Sequence, residues 1–103
     1  MNNAADLLDM VKARLGCLYN TEAEDSRLLF LVEDGIAELD RLAGSHEVDY
    51  GSPGLARMLL VNRTLYGMND MLDDFPNNYL SDLVTFVNEY KKPPGGDPDG
   101  TGA

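Results

Sequence analysis

Hydrophobic residues recur every three or four positions along most of this chain, a spacing that predicts helices rather than strands. The longest such stretch runs from Thr21 to Gly44. Thr21 and Glu24 match a capping box, and Gly44 supplies the left-handed residue that commonly ends a helix. One broad arc of this helix collects its apolar side chains, which are Leu28, Leu29, Leu31, Val32, Ile36, Leu39, Leu42 and Ala43.

The opposite side of this helix is polar, with one exception. Phe30 projects from the polar side, close to Ala37, so it does not join the arc that packs against the rest of the chain. The charged residues of this side are Arg27, Glu33, Asp34, Glu38, Asp40 and Arg41. Phe30 is therefore a candidate for contact with another molecule.

A shorter helix precedes the long one. It is expected to begin after Asn2 or Asn3, either of which can serve as the N-cap, and to stop at Gly16. The short turn Cys17–Asn20 then predicts an antiparallel pairing of the first two helices.

A third helix is predicted after the loop that follows Gly44. Ser52 is expected to be its N-cap and Pro53 its first residue, and it should run to about Asp73. This helix is apolar nearly all round, so part of its surface is expected to be covered by another chain. Asn62 and Asn69 lie within its apolar arc, where we expect their amides to bond to the backbone.

A fourth helix is expected from about Asn78 to Lys91, because Pro76 disfavours helical geometry at Phe75 and so breaks the chain before it. Its predicted buried face consists of Leu80, Leu83, Val84, Val87 and Tyr90.

The length of 103 residues suits one small domain. We predict an all-α fold, a small four-helix bundle over residues 1–92 with an extended Gly/Pro-rich tail over residues 93–103. The tail has no large side chain to bury and is expected to be ordered only against another subunit or partner.

The charge balance excludes one class of function. Eighteen acidic residues stand against eight basic ones, a formal charge of −10, which argues against a surface that grips nucleic-acid phosphates. No apolar run approaches the ~20 residues of a membrane span, and the start of the chain does not resemble a signal peptide. A soluble protein within the cell that makes it is expected.

Catalytic and metal-binding motifs are not apparent. Cys17 and His46 are the only residues of their types, and neither has a partner at a useful spacing. The sequence contains no glycine-rich phosphate loop and no nucleophile elbow. We therefore expect no enzyme activity, no cofactor and no metal, and interpret the chain as a binding module.

The order of elements resembles the phage head–tail connector family, the small adaptor proteins of long-tailed phages. The resemblance covers residues 4–91. Two of its features lie in the first half of the chain: the first helix ends in Leu8-Asp9-Met10-Val11-Lys12-Ala13-Arg14-Leu15, and the long helix begins with the acidic pair Glu24-Asp25. The third helix contains Leu59-Leu60 and Tyr66. The last helix follows Phe75-Pro76 and ends in Tyr90-Lys91.

This resemblance implies a homo-oligomeric ring, usually a dodecamer, in the neck of the virion. Such a ring docks beneath the portal protein, supports the stopper or tail-terminator protein, and lets DNA pass through its channel without specific binding. It would be made in the host cytoplasm and would contact no membrane.

Site residues follow from this interpretation. The candidates for subunit contacts are Phe30, Ala37, Arg27, Asp34, Arg41, Leu60 and Met71. The acidic loop residues Glu47 and Asp49 are candidates for the channel lining, because an acidic lining would not bind the phosphates of passing DNA. Lys91, Lys92, Pro93 and Pro94 are candidates for docking to the portal.

One alternative of a different class remains open. A small acidic protein could mimic DNA, or inhibit a basic partner as an antitoxin does, and this would also account for the charge of −10. A mimic has no need for a third helix that is apolar all round. A stable monomer that binds a basic partner would favour it.

Overall fold

The computed structural model describes residues 4–16 and 21–90, and over these ranges it contains helices and no strands. The helices are α1 Ala4–Leu15, α2 Glu22–Ala43, α3 Leu55–Met68, α4 Phe75–Asn78 and α5 Leu80–Tyr90, with a 3₁₀ turn Leu72–Asp74 before α4. The all-α prediction is confirmed, although the described helices number five rather than four. The predicted turn Cys17–Asn20 and the tail lie outside the described residues.

Both ends of α2 form as predicted. The Thr21 hydroxyl accepts a hydrogen bond from the Glu24 N–H at 3.1 Å, and the Glu24 carboxylate accepts one from the Thr21 N–H at 3.1 Å. At the other end, Gly44 has a φ of 70° and its N–H donates to the Asp40 carbonyl at 2.8 Å. The local sequence determines where α2 begins and ends, because the capping residues form hydrogen bonds with backbone groups that have no partner within the helix.

The first two helices meet as a hairpin. Lys12 Nζ, in the last turn of α1, lies 2.8 Å from Asp25 Oδ1 in the first turn of α2. Leu15 packs against the cluster that contains Leu28. The end of α1 therefore lies beside the start of α2, as expected for an antiparallel pair.

The third helix, α3, is the central element, and none of its residues is exposed. It packs against α1, α2, α5 and the 3₁₀ turn. This chain therefore covers much of α3, and cover of its half-buried residues by another chain stays a prediction. Asn62 and Asn69 behave as predicted, since their side chains donate to the Met58 carbonyl at 2.8 Å and the Leu65 carbonyl at 2.9 Å.

The start of α3 differs from the prediction. The helix begins at Leu55, with Gly54 as its N-cap, and not at Ser52 and Pro53. The reason is Asp49, whose Oδ1 accepts hydrogen bonds from the Gly51 N–H at 2.9 Å and the Ser52 N–H at 3.2 Å. This turn engages Ser52 before it can cap a helix.

The end of α3 also differs, because the helix stops at Met68 rather than near Asp73. Asp70 adopts φ of 58°, its N–H donates to the Gly67 carbonyl at 3.2 Å, and the Met71 N–H donates to the Tyr66 carbonyl at 2.8 Å. This pattern is a Schellman motif with Asp in the position that Gly usually occupies. Arg27 reinforces it from α2, as described below.

The predicted fourth helix corresponds to α5, and a short helix that the sequence did not predict, α4, precedes it. Phe75 is helical, with φ of −59° and ψ of −48°, so the prediction that Pro76 would keep it out of a helix is wrong. Pro76 lies in the first turn of α4, where a missing N–H breaks no helical hydrogen bond. The break comes at Tyr79, with φ of −118° and ψ of 22°, and α5 starts at Leu80.

A reciprocal contact joins α2 to α3. A Cβ placed on Gly35 of α2 would lie 2.8 Å from Leu60 Cδ1, and one placed on Gly67 of α3 would lie 2.6 Å from Leu31 Cδ2. Each helix thus offers a glycine to a leucine of the other. Because neither glycine has a side chain, the two backbones approach closely enough to bury both leucines.

The loop between α2 and α3 is anchored in the core. Val48 and Tyr50 are buried, and the Tyr50 hydroxyl donates to Asp40 Oδ1 at 2.7 Å. Asp40 is itself buried near the end of α2. Burial and the hydrogen bond to the Asp40 carboxylate raise the pKa of Tyr50 above its ordinary value.

We predict that Gly67→Ala destabilises the chain by about 1–2 kcal/mol, because the new methyl group overlaps Leu31. In a Leu31→Ala background the overlap is gone, and the same change should stabilise by up to about 1 kcal/mol through helix propensity. Urea denaturation of the four proteins measures both effects. A destabilising effect in both backgrounds would contradict the proposed contact.

We predict that the free energy of unfolding falls above pH 10, because the unfolded chain releases the Tyr50 proton at a lower pH than the folded chain. Below pH 10 Tyr50 is protonated in both states and contributes no slope. Above pH 10, Tyr50 lowers the free energy of unfolding by an amount that approaches roughly 1.4 kcal/mol for each further pH unit. Tyr50→Phe should remove this contribution, and parallel pH profiles for the two proteins would refute the assignment.

Candidate interaction surface

The outer face of α5 is the largest departure from the sequence prediction. Phe86, absent from the predicted buried face, is the residue of α5 that is fully buried. Leu80 and Val84, predicted to be buried, are 61% and 50% exposed. The sequence signal for this was the spacing of Phe86 and Val84, which are two residues apart and so lie on nearly opposite sides of a helix. Leu83 and Val87 pack against the same core as Phe86, whereas Leu80 and Val84 do not.

Four apolar residues of α5 form one wall of an open apolar groove. The groove has a volume of about 380 Å³, within the range of sites that hold a small ligand or a few side chains. Its other walls come from α2, α3 and the segment around α4. The lining residues are Glu38, Leu39, Leu42, Arg63, Leu72, Phe75, Pro76, Leu80, Leu83, Val84, Val87 and Asn88.

Fixed charges stand at the polar edge of the groove. Arg63 Nη2 donates to Asp34 Oδ2 at 3.0 Å, whereas Arg63 Nη1 is buried without a hydrogen-bond acceptor among the residues the structure describes. Glu38 accepts two hydrogen bonds from Arg41, at 3.1 and 2.7 Å. These bonds, and more weakly the charge of Arg63, hold the pKa of Glu38 below its ordinary value.

The predicted contact face of α2 is only partly free. Phe30 is 65% exposed, as predicted, and Ala37 and Arg41 are exposed with it. Arg27 and Asp34 instead bind α3 of the same chain. Arg27 Nη2 donates to the Gly67 carbonyl at 2.9 Å and to Asp70 Oδ1 at 2.7 Å, which closes the end of α3.

Leu60 and Met71, the other two predicted contact residues, differ in their surroundings. Leu60 is fully buried in the core against α2, so it has no surface to offer another chain, and its assignment is corrected. Met71 is 46% exposed and is the last residue of the Schellman turn that ends α3. It remains a candidate contact residue.

The loop candidates Glu47 and Asp49 are both exposed. Asp49 also has a structural role, because the Ser52 hydroxyl and then the Gly51 and Ser52 backbone N–H groups donate to it and lower its pKa. Glu47 has no such bond from its side chain among the described residues. The portal candidates Lys91, Lys92, Pro93 and Pro94 lie outside the described part of the chain.

The many acidic side chains do not gather into a metal site in residues 4–16 and 21–90. Over these ranges no group of three or more His, Cys, Asp or Glu side chains is placed to hold a metal ion. None of the described helices has the length and apolarity to cross a membrane. The groove and the exposed Phe30 are two apolar features that are open to a binding partner.

Comparisons with known proteins do not indicate what binds to this surface. No protein-family model, curated protein or solved structure matches this chain.

We predict that Val84→Asp changes the free energy of unfolding by less than about 1 kcal/mol, since Val84 is half exposed in the groove. Phe86→Ala, two residues further along the same helix, should cost about 3–5 kcal/mol because its ring is fully buried. Thermal or urea unfolding compares the two. Equal losses would mean that the Val84 face is packed in the core.

Proposed function

We propose that this protein is a structural subunit of a ring, of the head–tail connector kind, that joins a portal protein to a stopper or tail protein. The observation that supports it best is the pairing of an exposed aromatic side chain with an open apolar groove on one small acidic helical domain. A subunit that assembles head to tail needs two different, complementary patches.

The two patches lie on different sides of α2. Phe30 is nine residues from Leu39 of the groove, a separation that places them on nearly opposite sides of a helix. The groove is large enough to accept an aromatic ring. Phe30 of one copy can therefore enter the groove of the next without blocking its own groove, which allows a chain of contacts to close into a ring.

The acidic surface fits a conduit for DNA. With a formal charge of −10, the chain repels phosphates, and the exposed Glu47 and Asp49 are the proposed channel residues. Lys91, Lys92, Pro93 and Pro94 are the proposed contacts to the portal. In this scheme the subunit works through contacts alone, with no reaction step.

The test uses two variants, each lacking one patch. Phe30→Asp removes the aromatic side chain and Val84→Asp places a charge in the groove, and circular dichroism should show both still helical. Neither should assemble alone. Mixed in equal amounts, they should form a two-chain complex and nothing larger, because Val84→Asp still offers Phe30 and Phe30→Asp still offers the groove.

Size-exclusion chromatography with light scattering measures these masses. Assembly by either variant alone, or no complex in the mixture, would refute the proposed contact. Unfolding of Phe30→Asp would show that Phe30 belongs to the core.

The acidic charge also supports a second candidate, an inhibitor that mimics DNA or neutralises a basic partner. Wild-type protein that stays monomeric and binds a basic protein with strong salt dependence would favour this candidate over the ring.

A further inference from the structure

Most basic residues of this acidic chain are matched with carboxylates. Of the six in the described ranges, four form ion pairs within the chain, which are Lys12 with Asp25, Arg27 with Asp70, Arg41 with Glu38 and Arg63 with Asp34. The distances run from 2.7 to 3.0 Å. With eighteen acids to eight bases, an unmatched basic residue is the exception.

Arg14 and Arg57 are the two that form no ion pair with any described residue, and both line one small pocket. Arg14 comes from the last turn of α1 and Arg57 from the first turn of α3. The pocket has a volume of about 210 Å³, and the rest of its lining is uncharged, consisting of Gly54, Met58, Val61 and Asn62. The packing of α1 against α3 therefore brings two unmatched positive charges to one concave site.

The first turn of α3 borders the same pocket, because Gly54 is the N-cap of this helix. No side chain of the described residues caps α3, and its first turn contains no acidic residue. A Cβ added to Gly54 would meet no atom within 4 Å, so no described part of the chain covers this position. The open N–H groups of a helix start favour a negative charge, and here they add to the field of the two arginines.

A phosphate group suits these surroundings. Each guanidinium presents several N–H donors in a planar fork that matches phosphate oxygens, and the start of a helix favours the same group. Nucleic acid is a poor occupant, since a chain of charge −10 repels its dense phosphates. A small molecule with a single phosphate group carries only about two negative charges and meets far less repulsion.

We infer that the pocket of Arg14 and Arg57 binds a small phosphate monoester. The two guanidinium groups bind the phosphate, and Met58 and Val61 contact the organic group that carries it. The pocket volume lies below the range of sites for drug-sized ligands, so the organic group is a small one. This inference is independent of the ring, because neither arginine belongs to the Phe30 patch or lines the groove.

The experiment is an NMR titration of the full-length chain with phenyl phosphate at neutral pH and constant ionic strength. The wild type should bind it saturably, and Arg14→Gln/Arg57→Gln should weaken binding by roughly tenfold or more. The matched control Lys12→Gln/Arg41→Gln removes the same charge elsewhere and should weaken binding by about twofold at most. Equal weakening in both variants would show a general field effect and would overturn the inference, as would a wild type that does not bind.

Two further ligands test the chemistry of the occupant. Phthalate carries the same charge on a ring but presents carboxylates, and inorganic phosphate lacks the group that contacts Met58 and Val61. Both should bind more weakly than phenyl phosphate. Equal affinity for phthalate would overturn the choice of phosphate, and equal affinity for inorganic phosphate would overturn the choice of a monoester.

A last measurement does not depend on the folding of the variants. In the wild type, phenyl phosphate should shift the side-chain Nε resonances of Arg14 and Arg57 and the backbone amide of Leu55. The Nε resonances of Arg27 and Arg41 should stay in place, because both side chains already form ion pairs within the chain. Equal shifts for all four arginines would overturn the inference.

Discussion

The close contact between α2 and α3 is the constraint on which the rest of the structure depends. Gly35 accepts Leu60 and Gly67 accepts Leu31, so the two longest helices meet nearly backbone to backbone. Two arginines add hydrogen bonds between the same two helices and the end of α3. Arg27 binds the end of α3, and Arg63 spans from α3 to Asp34 of α2. A chain of this size has one small core, and this contact fixes the axis around which that core forms.

The same contact explains why a groove remains. With α2 and α3 so close, α5 packs beside them and inserts Phe86 into the core, while its Leu80 and Val84 stay on the outside. The segment around α4 adds Phe75 to the floor, where its ring stacks on Tyr79 at 4.7 Å between centroids. The groove is thus formed by the packing of the chain's own helices, and a docking surface that exists before binding avoids the free-energy cost of ordering it.

The sequence predicted correctly those features of the fold that depend on interactions between residues close together in the chain. The capping box of Thr21 and the Gly44 end of α2 depend on neighbours within a turn, and the outward position of Phe30 depends only on the helical period. The start of α3 was predicted wrongly because Asp49 accepts a hydrogen bond from the Ser52 N–H. Its end was predicted wrongly because Asp70, and not a glycine, adopts the left-handed conformation, and Asp70 is bound by Arg27, forty-three residues away in the sequence. The buried face of α5 was predicted wrongly because Phe86, rather than Leu80 and Val84, fills the core, and this depends on the shape of the core.

The central claim is that this chain acts by binding copies of itself through two different patches. Native mass spectrometry of the wild-type, full-length protein over a series of concentrations tests it most directly. A ring built from Phe30 and the groove predicts that one closed stoichiometry, larger than a dimer, dominates as concentration rises. Monomer at every concentration, or a dimer that never grows, would contradict the claim.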